Sequence, residues 1–385
     1  MTVHLFAGGG TAGHVNPLLA TADRLRERDP EAEVLVLGTA EGLESRLVPE
    51  RGYELVTVPR LPFPRRPNGD ALRFPSRFRA AVAELADTLT ARGVEVVTGF
   101  GGYASAPAYL AARRLGLPLA IHEANARPGL ANRLGARITP HVGVTFASTR
   151  LPHSRVVGLP LRREIERLDR AAARAEAVEL FGLDPRRPVL LVTGGSTGAR
   201  RVNESVAAAI APLLGCGWQV LHITGSRSPV DDPQLPGYHL LEYCDRMDLA
   251  LAVADLAVSR AGAATVCELA AVGVPAVFVP YASGNGEQAL NARDAVRAGG
   301  AVLIRDAEFT PARIEAEIVP LLLDRARVAA MAARMAGTGH RDGADRMVDL
   351  VLEAAASGRS GESAAPASTD PASADEPTAG AEDAG

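Results

Sequence analysis

Between Arg260 and Glu287 the chain carries a single charge, Glu268. It follows the small-residue turn Ser259-Arg-Ala-Gly262, which opens a helix at about Ala263. The run Ala263-Ala264-Thr265-Val266-Cys267-Glu268 therefore offers unpaired backbone N–H groups and a positive helix end, with a carboxylate a turn and a half in. Such a carboxylate can accept hydrogen bonds from both hydroxyls of a ribose while the helix start faces a diphosphate. Beyond the next strand, Gln288 and Asn291 stand three apart and share a helix face, where their amides suit sugar hydroxyls. These residues describe a socket for a nucleotide sugar. The same spacing also suits a buried strand–helix unit in which Glu268 merely caps or pairs.

Other loops could do chemistry. Gly8-x-Gly10-x-x-Gly13 lies between a strand and a helix, like a dinucleotide fingerprint. The acid expected at the end of the second strand is missing, since that strand ends Leu37-Gly38-Thr39, and this disfavours an NAD or FAD oxidoreductase. The loop suits any phosphate approached by backbone N–H groups, or a tight turn for close helix–strand packing. His14 follows in the first helical turn, where the positive helix end favours the neutral imidazole that a general base requires. A histidine bonded to a neighbouring loop is the alternative. Gly99-Phe-Gly-Gly-Tyr103 and His122-Glu123-Ala124-Asn125 each follow a later strand. Polar loops at the carboxyl ends of parallel strands lie where open α/β sheets bind ligands.

These loops need a scaffold of alternating strands and helices, and the hydrophobic pattern supplies one. The first half has strands near Val3–Ala7, Glu33–Leu37, Glu54–Val58, Val94–Thr98, Pro118–Ile121 and Val142–Val144. Its helices fall near Val15–Arg28, Arg77–Arg92, Ala106–Leu115 and Gly129–Leu134. A second series has strands at Val189–Thr193, Gln219–Ile223, Tyr238–Leu241, Leu256–Val258, Ala276–Val279 and Ala301–Ile304. Each series opens strand, glycine-rich turn, helix; in the second the turn is Gly194-Gly-Ser-Thr-Gly198. The expected architecture is two facing Rossmann-like domains, 1–158 and 159–341, with a helix over Asp342–Ala356 and a disordered tail, 357–385.

Composition narrows the chemistry. All 41 basic residues are arginine, which removes a P-loop lysine and a Schiff-base lysine. A net charge of −4 gives no bias toward nucleic acid. Cys216, Cys244 and Cys267 have neither disulfide nor metal-ligand spacing, pointing to a reducing compartment and no bound metal. The N-terminus shows no basic region of a signal peptide, and the apolar run Gly262–Ala282 is broken by Glu268 and Pro275, so neither export nor a membrane span is expected. Between Arg60 and Arg79, six arginines, Phe63, Phe74 and Phe78 accompany one acid, Asp70. That mixture suits an anionic membrane surface, or a solvated loop whose phenylalanines reach the core.

Taken in order, the motifs resemble the bacterial MurG family over about residues 1–356. They are Gly8-Gly-Gly-Thr-Ala-Gly-His-Val-Asn-Pro17, Gly101-Gly-Tyr-Ala-Ser105, His122 to Asn132, Gly158-Leu-Pro-Leu-Arg162, Gly194 to Ala199, Arg260 to Glu268 and Gly286 to Asn291. Ala12 and Ala124 depart from the family pattern, which often has glycine and glutamine there. The family consists of glycosyltransferases of the GT-B fold that complete the lipid-linked peptidoglycan precursor. The resemblance implies transfer of N-acetylglucosamine from UDP-GlcNAc to the 4-hydroxyl of undecaprenyl-pyrophosphoryl-MurNAc-pentapeptide, lipid I to lipid II, with inversion and without a cofactor.

It assigns Arg162 and Ser196 to the diphosphate, Glu268 to the ribose, the backbone near Cys244 to the uracil, and Gln288 and Asn291 to the sugar. Thr11, Ala12, Gly13 and Asn125 would line the cleft, with His14 as first and Glu123 as second candidate base. The final helix would cross back to the first domain. A peripheral position on the cytoplasmic side of the cell membrane is implied, with cell-wall synthesis or division proteins as conceivable partners. The rival readings are a UDP-sugar 2-epimerase, a natural-product glycosyltransferase and a non-catalytic sugar-nucleotide sensor.

Overall fold

The computed structural model describes residues 1–61, 64, 69–195, 197–281 and 286–362. Its first sheet has seven parallel strands: β1 (Val3–Ala7), β2 (Glu33–Gly38), β3 (Glu54–Thr57), β4 (Val96–Gly99), β5 (Leu119–Glu123), β6 (His141–Val144) and β7 (Ser154–Val156). They lie in the order β3-β2-β1-β4-β5-β6-β7. The second has six: β8 (Val189–Thr193), β9 (Gln219–Ile223), β10 (Tyr238–Leu241), β11 (Ala254–Ser259), β12 (Ala276–Phe278) and β13 (Ala301–Leu303), in the order β10-β9-β8-β11-β12-β13. The fold is GT-B, two Rossmann-like α/β domains.

Buried strands explain the continuous apolar runs. Every residue of β1 and of β8 is buried, because helices cover both faces of a parallel sheet. In β1, Phe6 packs into one apolar cluster while Val3, Leu5 and Ala7 pack into another. In β8, Leu190 and Val192 face one cluster and Val189 and Leu191 the other. Both sheets change winding direction beside their first strand, between β1 and β4 and between β8 and β11. That switch opens a crevice at the carboxyl ends of the strands, where the glycine loops sit.

Several boundaries differ from the sequence reading. Strand β7 was not anticipated; all three of its residues are exposed, so it lacks an apolar run. The second long helix spans Gly69–Ala91, starting eight residues earlier than expected, and carries Pro75 inside it. A short helix over Glu44–Glu50 also escaped the pattern. The last helix spans Gly343–Glu362, running past the expected limit at Ala356. Its Met347, Val348, Leu350, Val351 and Ala354 pack with Phe6, Val36 and Val96 of the first sheet, so the chain returns to the first half. The rest of the expected tail, 363–385, lies outside the described residues.

Charged pairs join the halves at the crossover. Arg24 donates to both oxygens of Glu166 at 2.7 and 2.8 Å and also reaches Asp345, while Arg163 pairs with Glu27. Among the described residues, no helix is long and apolar enough to cross a membrane. In the helix Gly69–Ala91, Phe74 and Phe78 stack at 5.4 Å and both are half-buried, while Leu72 is exposed. Phe63, Arg65 and Arg66 of that basic stretch lie outside the described residues.

Candidate active site

A cavity of about 230 Å³ lies at the carboxyl edge of the second sheet. Thr193 lines it at the end of β8, Gly195 after that strand, Gly225 after β9, and Glu242, Tyr243, Cys244 and Asp245 after β10. Ala264, Thr265 and Glu268 contribute from the helix Ala263–Val272, and Asn16 reaches in from the first half. That helix starts without a side-chain cap: Gly262 holds the N-cap position, and the first intrahelical bond comes from the Val266 N–H. The N–H groups of Ala263, Ala264 and Thr265 are thus free for a ligand anion.

Arg162 enters the same cavity and donates to Glu268 Oε1 at 3.1 Å. Burial would lower its pKa, but the Glu268 charge and hydrogen bond reverse the sign, so it stays charged. Its Nε is buried without a hydrogen-bond partner, an orphan donor at the mouth of an anion-shaped space. Cys244 is buried, and that burial pushes its thiol up to about 11, so it is inert at neutral pH. Only its backbone is chemically useful. Ser196 lies outside the described residues.

Helical geometry divides the run from Ala263 to Glu268. Ala263 is buried at the first helical position. Val266 and Cys267 turn away from the first cavity into a second one of about 120 Å³, which they share with Thr145, Phe146 and His340. Successive helical residues are about 100° apart, so a contiguous stretch cannot all face one ligand. This corrects the expectation for the side chains of Val266 and Cys267.

Gln288 and Asn291 also separate. Gln288 Oε1 accepts from the N–H groups of Tyr281 at 2.9 Å and Ala261 at 3.3 Å. Asn291 is fully buried; it accepts from the Ala126 N–H at 2.9 Å and donates to Asn125 Oδ1 and to the Ala261 carbonyl, each at 3.2 Å. It clamps the two halves, so the expected contact from Asn291 to a sugar gives way to a structural use. Asn125 is engaged in the same clamp.

Across the cleft, Thr11 is the exposed N-cap of the helix Ala12–Arg28, with Gly13 and His14 half-buried in its first turn. Thr11 Oγ1 lies 3.2 Å from His14 Nδ1. A Cβ on Gly101 would come within 3.3 Å of the imidazole, so that glycine gives the ring its berth. Burial lowers the His14 pKa, opposed by the charges of Glu123 and Glu44 and by the Gly9 backbone. The imidazole is therefore neutral at neutral pH.

Glu123 is committed elsewhere. Its carboxylate accepts from the N–H groups of Asn125 at 2.9 Å and Gly129 at 3.0 Å and from Asn132 Nδ2 at 2.9 Å. It organises its own loop and is a poor candidate to take a proton from a substrate. Ala124, one of the departures from the family pattern, is buried and joins an apolar cluster made mostly of second-half residues.

Sequence reasoning passed over Asn16, Glu242 and Tyr243, which line the first cavity, and Glu44, which contacts the first glycine loop. Only the Glu242-Tyr-Cys-Asp245 run after a strand carried a signal, its polarity at a carboxyl end. Asn16 and Glu44 reach their positions through tertiary approach.

Comparison with known proteins bears on all of this. Residues 4–144 match the glycosyltransferase family 28 N-terminal domain and residues 189–347 its C-terminal domain. The chain is similar to a protein of Leifsonia xyli named UDP-N-acetylglucosamine--N-acetylmuramyl-(pentapeptide) pyrophosphoryl-undecaprenol N-acetylglucosamine transferase. The two are 66% identical over 351 residues, 91% of this chain and 98% of that one. A protein of the same name from Streptomyces coelicolor is 50% identical over 356 residues, 91% and 98% of the two chains. Among solved structures, MurG of Acinetobacter baumannii aligns with a TM-score of 0.76 at 27% identity, over 92% of this chain and all of that one.

Proposed function

We infer the reaction from a premise the comparisons establish: the chain belongs to glycosyltransferase family 28 and, within it, to the MurG family. It is an N-acetylglucosaminyltransferase that moves the sugar of UDP-GlcNAc onto the undecaprenyl-pyrophosphoryl-linked MurNAc-pentapeptide, converting lipid I to lipid II in peptidoglycan synthesis. One observation carries the active-site reading. The cavity joins an uncapped helix start, a half-buried carboxylate and a half-buried arginine whose Nε–H is an orphan, the complement of a nucleoside diphosphate.

In this reading UDP-GlcNAc lies on the second half. Glu268 accepts from the ribose hydroxyls, the backbone near Cys244 reads the uracil, and the Gln288 amide meets the sugar. Arg162, Ser196 and the N–H groups of Ala263, Ala264 and Thr265 surround the diphosphate. The acceptor enters along the loops of the first half, near Thr11, Gly13 and Asn125. Its 4-hydroxyl attacks the anomeric carbon from the face opposite UDP, with inversion. Neutral His14 takes the hydroxyl proton as the C–O bond forms. The bond to the diphosphate breaks, and its growing charge is met by groups already oriented toward it. Holding both substrates in line in one cleft contributes up to roughly 7–11 kcal/mol in favourable cases.

The exposed Leu72 and the basic residues around the stacked Phe74 and Phe78 support peripheral attachment to an anionic, cytoplasmic-side membrane surface, where a lipid-linked acceptor resides. Vesicle sedimentation with and without anionic lipid tests this. Binding that survives joint replacement of Arg65, Arg66 and Phe74 would assign attachment to another surface.

The reaction itself is tested by UDP release from UDP-GlcNAc, with and without a short-chain analogue of the acceptor. Acceptor-dependent release with a disaccharide product is expected. Turnover without acceptor would favour an epimerase, and binding without any release a sensor.

A further inference from the structure

The first glycine loop already holds an anion, and it is one of the chain's own. Glu44, in the first turn of the helix Glu44–Glu50, is fully buried. Its Oε2 accepts from the Gly10 N–H at 2.7 Å, and its Oε1 accepts from the Thr39 N–H at 2.9 Å and the Thr39 hydroxyl at 2.8 Å. Burial raises its pKa, but these bonds outweigh burial and hold the carboxyl below its ordinary value, so it is ionised at neutral pH.

Three glycines make room for it. A Cβ on Gly9 would lie 2.3 Å from Oε1, one on Gly42 2.1 Å from Oε2, and one on Gly38 2.4 Å from Cγ. A side chain at any of the three would displace the carboxylate or its stem from its present seat. Strand β2 ends without the acid of a dinucleotide site, and a carboxylate six residues beyond Gly38 folds back against the loop instead. A nucleotide phosphate seated there would meet a like charge and would lose the Gly10 N–H.

We propose that Glu44 is a positioning residue: by taking the Gly10 N–H from beneath, it fixes the loop that carries Thr11 and His14 and denies that loop to a nucleotide. The role rests on the proposed reaction, in which this loop faces the acceptor. It also explains how a loop that is mostly glycine holds His14 in register with Gly101.

The test compares wild type with Glu44→Gln and with Gly9→Ala, whose methyl would press on the carboxylate. Steady-state kinetics, UDP affinity by calorimetry and amide exchange over Gly8–His14 are measured for each. Both variants should lose about 10–100-fold in kcat or in kcat/KM for the acceptor. Their UDP affinity should stay within about twofold. Exchange at Gly10 should rise about 10–100-fold with the loss of a charged hydrogen bond.

Unchanged acceptor kinetics with unchanged exchange would overturn the proposal. So would parallel losses in UDP binding and turnover, the mark of a smaller folded fraction. Should one variant fail to fold, the other decides by the same criteria. Wild-type protein that releases no UDP with acceptor would count against the reaction, and the exchange measurement would still decide whether Glu44 holds the loop.

Discussion

The two halves of the molecule open with the same device and use it differently. In each, a strand ends in a glycine loop and leads into a helix, but among the described residues only the first loop encloses a carboxylate. Around the second loop the glycines serve backbone contact. A Cβ on Gly198 would lie 2.2 Å from the Thr224 carbonyl and one on Gly225 2.2 Å from the Gly198 nitrogen, while Gly195 borders open space. One loop is filled from within and leads into His14; the other lies beside Arg162 and Glu268. The lesson is that a glycine loop is a geometry, and the residue packed beneath it decides whether an anion can enter.

This contrast can be broken by paired substitutions. His14→Ala should lower turnover about 10²–10⁴-fold with little change in UDP affinity. A drop of less than about threefold would remove His14 from the role of general base. Arg162→Ala should lower kcat/KM for UDP-GlcNAc about 10²–10³-fold and weaken UDP itself, measurable by calorimetry. Equal effects of both variants on UDP affinity would erase the division of labour between the halves.

Acid should reveal a likeness between the halves. His122 in β5 bonds the Gly158 carbonyl, and His222 in β9 bonds Asn203 and Tyr238. Both are fully buried, and that burial depresses each pKa from 6.5 to about 4. Between those values the unfolded chain binds more protons than the folded one. Stability should therefore fall as pH drops from 6.5 to about 4, by at most about 3 kcal/mol per histidine. Urea midpoints across this range check it; a flat profile would mean that neither ring has a depressed pKa in the folded state.

The smallest effect concerns the clamp. Asn291→Ala leaves the Ala126 N–H without its partner and should cost about 1–3 kcal/mol. If UDP affinity falls more than stability explains, Asn291 contacts the donor after all.

Much of this was legible before any coordinates. Alternating apolar runs gave twelve of the strands within a few residues, since strands buried on both faces must be apolar throughout. The exposed β7 had no such mark, and the helix over Glu44–Glu50 was too short to show a period. Glu268, the one charge in an apolar stretch, lines a cavity at the carboxyl edge of the second sheet. Its partner was invisible: Arg162 lies 106 residues away in sequence, and only the crossover between domains brings it to 3.1 Å.

By itself, then, the sequence determined the strand-and-loop order and the residue types at the carboxyl ends, because local periodicity and turn chemistry are written residue by residue. Tertiary structure alone decided which polar groups remain free. It closed Asn291 with partners from a distant loop and Glu123 with partners from its own, and it turned Val266 and Cys267 aside by helical rotation. It also placed Glu44 beneath the first glycine loop. Hydrogen-bond saturation depends on which chain segments meet, and spacing along the chain does not record that.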